Sequence, residues 1–165
     1  MAIANTVARK IGTLAAVGPR RQLLVVEAIG QLMRARLLIK TQGWTRIADT
    51  LGTMIPADAV PAMQTPTSPA EITTARLARQ IGWAVGAVAP FMPFRAKCLE
   101  QAIAVHAMLR ARDVGAFIYF AAFPSDGRIS GHAWLDAAGV RVIGYPVPRE
   151  FVPLGCFVPG PVSPL

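Results

Sequence analysis

Apolar residues return at helical steps from Pro19 to Lys40, at Leu24, Ala28, Leu32, Ala35 and Ile39. This spacing predicts a long helix with Pro19 in its first turn. Trp44 to Leu51 reads as a second, short helix closed by Gly52. Pro56, Pro61, Pro66 and Pro69 then break every periodicity, so residues 53–69 read as a linker. Ser68-Pro69-Ala70-Glu71 has the form of a capping box, with Ser68 at the N-cap and Glu71 at N3. The helix it opens is expected to reach about Val88 and to stop before Pro90 and Pro93. The next helix begins near Cys98 and runs to about Arg112, with Gly115 as its left-handed cap. Ala102, Val105, Ala107, Met108 and Leu109 give it a broad apolar stripe.

The pattern changes after Gly115. Ala116 to Phe123, rich in Phe, Ile and Tyr, reads as a strand. Pro124-Ser125-Asp126-Gly127 is a turn, Ile129 to Asp136 a second strand and Val140 to Tyr145 a third. If Ala137-Ala138-Gly139 is a three-residue loop, Asp136 pairs with Val140 and His132 with Gly144. A two-residue loop sets Tyr145 opposite His132 instead. The proline-rich tail from Pro146 is expected to lie along the sheet rather than inside it. Helices first and an antiparallel sheet afterwards make an α+β fold. The expected division is a basic helical segment over 1–52, the linker over 53–69 and a main domain over 70–165.

Charge sharpens the picture of the first segment. Up to Arg46 there are eight Lys/Arg against Glu27 alone, +7, while the remainder carries nine basic and eight acidic residues, +1. So nearly all of the net +8 sits in the first quarter of the chain, which suits an acidic partner or contact with an anionic membrane surface. Glu27, Arg34 and Arg36 interrupt the apolar run from Leu23 to Ile39, each costing roughly 2.5–3.5 kcal/mol at a bilayer centre, which argues against a transmembrane span. No recognition motif or aromatic interleaving points to nucleic acid. Met1 to Ala8 lacks the basic start and cleavage site of a signal peptide. Two cysteines make no disulfide framework, so a reducing, cytoplasmic setting with free thiols is expected. No Cys or His pair has zinc spacing, and no cofactor motif appears.

The candidate chemistry lies in Cys98 and His132. A thiol at a helix start meets unpaired N–H groups and a partial positive charge, with Arg95 and Lys97 nearby. Its own backbone N–H is placed to serve as an oxyanion donor. A histidine in reach completes the pair used by cysteine peptidases. His132 shares a strand face with Trp134 and Asp136, while Ala133 and Leu135 face the other way. Asp136 lies about 13 Å along the strand, too far to orient the ring. His106 is about 12 Å of helical rise from Cys98 and is assigned to packing or surface. A buried inert cysteine and a structural histidine are the bland alternative for both residues.

These motifs carry a resemblance. Cys98-Leu99-Glu100-Gln101-Ala102, followed by Leu109-Arg110-Ala111-Arg112-Asp113-Val114-Gly115-Ala116, resembles the C-L-x-x-A…L-L-R-x-x-G-x-x-A pattern of lasso-peptide biosynthesis B proteins. Gly131-His132-Ala133-Trp134-Leu135-Asp136 is similar to their A-H-A-W-V-E segment, and Phe151-Val152-Pro153-Leu154 is in keeping. Those proteins belong to the transglutaminase-like cysteine-protease superfamily. The resemblance covers roughly residues 70 to 158. It implies a papain- or transglutaminase-like core with a nucleophile helix on an antiparallel sheet. It also implies a leader peptidase that cuts a ribosomally made precursor between leader and core. Cys98 matches the nucleophile and His132 the base. The expected partners are the precursor peptide, a separate leader-binding protein and an ATP-dependent lasso cyclase. The family's aspartate stands about a dozen residues after the histidine, where this chain has Gly144. A non-catalytic relative that binds a precursor or partner protein, and another acyl-transfer enzyme of the superfamily, are the alternatives.

Overall fold

The computed structural model describes residues 18–125 and 128–159. The elements are α1 (Pro19–Thr41), α2 (Trp44–Leu51), β1 (Thr53–Ile55), α3 (Pro69–Val88), α4 (Cys98–Arg110), β2 (Ala116–Ser125), β3 (Arg128–Ala137), β4 (Val140–Ile143) and β5 (Val152–Val158). Short 3₁₀ turns at Ala57–Ala59 and Ala89–Phe91 link them. The five strands form one antiparallel sheet in the order β1-β5-β2-β3-β4.

Local chemistry sets the helix ends. Ser68 accepts from the Glu71 N–H at 3.2 Å, and the Glu71 carboxylate accepts from the Ser68 N–H at 3.0 Å. Two donors with no intrahelical partner are thereby satisfied. The backbone bonds also hold the Glu71 carboxyl below its usual range. At the far end of α4 the left-handed residue is Asp113 (φ 55), not the expected Gly115. The Val114 N–H bonds the Leu109 carbonyl and the Asp113 N–H the Arg110 carbonyl, a Schellman closure completed before Gly115 is reached. Aspartate tolerates that conformation better than most residues.

One open alternative is decided and two strand expectations change. The β3–β4 loop is two residues long: Ala137 pairs with Val140, and Ala138 and Gly139 both take positive φ, as a tight hairpin requires. A bulge between Leu135 and Asp136 then shifts the register. The residues read as a linker contain β1, which pairs with β5 through Thr53, Met54 and Ile55. The tail is not peripheral either, because β5 lies between β1 and β2. Pro153 is tolerated because β1 reaches only Cys156 to Val158. At Pro153 one side of β5 is a local edge, where a missing N–H breaks no ladder.

One hydrophobic core runs from Leu24 on α1 to Phe157 on β5, so the N-terminal helices share it with the sheet. α3 and α4 cover one sheet face, and α1 packs across both helices. Ala133, Leu135 and Ala137 of β3 point into this core. His106 is buried within α4, and burial, with Arg110 beside it, lowers its pKa from 6.5 to about 4. The folded state thus keeps a neutral ring where the unfolded chain binds a proton. The stability this ring supports is present above pH 6.5 and lost progressively as the pH falls toward 4. The expected loss is about 3 kcal/mol. His106→Gln should flatten this part of a urea-midpoint profile, and an unchanged profile would refute the assignment.

Candidate active site

Cys98 is the first residue of α4. Lys97 precedes it in an extended conformation, and the Glu100 carboxylate accepts from the Lys97 N–H at 3.2 Å. Glu100 is only 3% exposed and pairs with Arg36 of α1 at 3.0 Å. The Arg36 guanidinium also lies over the Phe94 ring, 5.6 Å from its centroid. One arginine therefore ties the approach loop and the start of α4 to α1. The thiol is half-buried at the cavity, and first-turn amides lack intrahelical partners. Gln101 lies on the same turn, donates its side-chain amide to the Ala96 carbonyl at 2.9 Å, and lines the cavity. Its other amide hydrogen makes it a second candidate oxyanion donor, visible only once the cavity is known.

Strand alternation puts His132 with Trp134 and Asp136 on the face turned away from α3 and α4. Trp134 stacks on Tyr119 at 5.3 Å, and His132 lies between Trp134 and Phe151, with centroids 5.9 and 5.5 Å away. The ring nevertheless reaches the cavity beside Cys98. β4 ends at Ile143 and leaves that edge of β3 without a paired strand, and an open cavity of about 480 Å³ lies there. Gly86, Cys98 and Gln101 line one side, and His132, Arg141 and Tyr145 line the other. No hydrogen bond joins Cys98 to His132. Catalytic contacts often close only once substrate is bound.

The third member of the site is a backbone atom. His132 Nε2 lies 2.7 Å from the Gly144 carbonyl oxygen. A carbonyl only accepts, so Nε2 carries the proton and Nδ1 holds the free lone pair in the neutral ring. The position expected to lack an acid is thus occupied by a main-chain acceptor that fixes the tautomer. It gets there by the bulge and a kink at Gly144 (φ 86) rather than by simple cross-strand pairing.

Asp136 is engaged elsewhere. It accepts from Tyr145 Oη at 2.6 Å, and Arg141 lies over the Tyr145 ring at 5.0 Å. Burial raises the Asp136 pKa, with the Tyr145 bond and Arg141 opposing. The Tyr145 hydroxyl is also raised, by burial first and by Asp136 second. This pair anchors the corner that carries the Gly144 carbonyl. Tyr145→Phe leaves a carboxylate without its donor and should cost about 2 kcal/mol. A urea midpoint equal to wild type would contradict that anchoring.

Of the other carboxylates close to these strands in sequence, Glu150 is exposed, and Asp126 lies outside the described residues. Cys156 is fully buried, and burial with the nearby Asp136 pushes its thiol up to about 12, so it stays protonated. Among the described residues no three His, Cys, Asp or Glu side chains converge to hold a metal.

No curated protein and no solved structure matches the chain. The family model described as the transglutaminase-like superfamily matches residues 32–155, from the middle of α1 to β5. That span holds the Cys98 helix, the His132 strand and the Gly144 corner, and the chain belongs to the transglutaminase-like superfamily.

Proposed function

We propose that this protein is a cysteine peptidase that removes the leader from a ribosomally made precursor during lasso-peptide maturation. Cys98 and His132 lining one cavity, with the His132 tautomer set by the Gly144 carbonyl, carries the reading. The superfamily includes cysteine peptidases, and the Cys98 and His132 segments resemble lasso-peptide B proteins. His132 Nδ1 takes the Cys98 thiol proton, and the resulting thiolate attacks the scissile carbonyl carbon. Its C–N bond then breaks, and His132 Nδ1–H protonates the departing amine. Water, deprotonated by Nδ1, then hydrolyses the thioester and frees the thiol. The oxyanion forms against the first-turn amide and the Gln101 side chain. A separate leader-binding protein presents the precursor, and an ATP-dependent cyclase takes the released core, all in the cytoplasm.

The test is a single-turnover reaction of the full chain with a candidate precursor and leader-binding protein. Free leader, free core and an acyl mass on the Cys98 peptide are expected. Cleavage with the acyl group elsewhere would overturn the assignment. A non-catalytic, peptide-holding relative is the second reading. The absent carboxylate and the unjoined Cys98 and His132 side chains favour it. Precursor binding with no turnover would support that reading over the first.

A further inference from the structure

We propose that the outer face of α1, with the arginine cleft beside α3, is a docking surface for an anionic lipid membrane. α1 is apolar on two opposite sides. Leu24, Ala28, Leu32 and Ala35 face the core. Leu23, Val26, Gly30, Met33 and Leu37 follow at three- and four-residue steps on the opposite side. Their large side chains are 70%, 67%, 48% and 61% exposed, in the order Leu23, Val26, Met33, Leu37. This ridge is about 21 Å long. A helix apolar all round is ordinarily covered on every side.

Among the described residues of α1 the uncompensated charge is all of one sign. The acid of α1, Glu27, is held by both arms of Arg112 at 2.9 and 2.6 Å. Arg36 is consumed by Glu100. Arg20, Arg21, Arg34 and Lys40 are exposed and make no ion pair among the described residues. Where α1 meets α3, Arg21 lies over the Trp83 ring at 5.6 Å, and Arg76, Arg79 and Gln80 complete an open cleft of about 450 Å³. Among the described residues no acid lines that cleft. Exposed apolar side chains, unpaired cations and an exposed tryptophan match the chemistry of a headgroup–acyl boundary. The same charge disfavours a second copy of this chain, which would bring two basic faces together. No helix among the described residues is long and apolar enough to cross a membrane, so the contact is peripheral.

The test is flotation of the full chain with vesicles of phosphatidylcholine alone or mixed with phosphatidylglycerol. Binding to the mixed vesicles only, reversed by salt, is expected. Leu23→Gln/Val26→Gln should weaken it at least about tenfold, and so should Arg76→Glu/Arg79→Glu. These side chains lie at the surface, and circular dichroism checks that each variant folds. No partition into mixed vesicles would overturn the proposal, as would partition insensitive to the Leu23/Val26 pair. Self-association abolished by that pair, without vesicle binding, would assign the face to a second copy. Saturable binding of a soluble acidic helical peptide, without vesicle binding, would assign it to a protein partner.

Discussion

Cys98→Ala is expected to abolish precursor cleavage, because no other thiol can take the attack. Cys156 is fully buried and its thiol is held at about 12. In the proposed mechanism, His132→Ala removes the group that protonates the departing amine and activates water. The loss should be about a thousandfold or more in kcat, since both steps use the same nitrogen. The two losses should not add in the double variant, because the pair acts as a unit. Both variants should retain precursor binding, which fluorescence anisotropy with labelled leader would report. Iodoacetamide should label Cys98 and spare Cys156 until the chain unfolds. Full processing by Cys98→Ala would end the peptidase reading, whatever His132 does.

Local signals carried most of the architecture into the sequence. The Ser68 capping box, the helix from Pro69 to Val88 and the start of α4 at Cys98 are decided by residues within one turn, and the structure reproduces them. What could not be read depends on pieces far apart in the chain. β1 exists because β5 supplies a partner a hundred residues later, and its short Thr-Met-Ile run has no strand signature of its own. The tail strand looked excluded by Pro153, yet the shortness of β1 leaves that proline at a free edge. Gly115 looked like the cap of α4, and Asp113 pre-empted it because the helix closes two residues earlier than its apolar pattern suggests.

The candidate site divides the same way. Cys98 and His132 were legible because side-chain chemistry is written in residue type. The Gly144 carbonyl was not, since every residue has one and only the bulge and the kink aim it at Nε2. Gln101 was also silent, because only the fold brings its amide to the cavity. Alternation did foretell the less convenient fact that His132 keeps company with Trp134 and Asp136 rather than with the helix face. The open edge beyond Ile143 is what lets both halves of the pair meet one cavity.

Gly144→Asp is expected to damage the site rather than complete a triad. Gly144 holds φ 86, a conformation that costs an L-residue about 1–2 kcal/mol. A Cβ there would lie 2.6 Å from the Ala133 carbonyl and 2.7 Å from both Cα and Cβ of Trp134. Backbone atoms of a central strand cannot yield as a side-chain tip can, so the corner itself must move. The combined cost should be about 3–5 kcal/mol, read as a lower urea midpoint. Moving the corner also takes the carbonyl off Nε2, so cleavage should fall even where the variant remains folded. Gly144→Ala isolates the cause, since it adds the Cβ without the carboxylate and should lose comparable stability. If Gly144→Asp instead kept the wild-type midpoint and cleaved faster, the main-chain acceptor would be a gap filled by default. The expected outcome makes it a distinct solution: in this chain the ring is oriented by a carbonyl that only glycine can place.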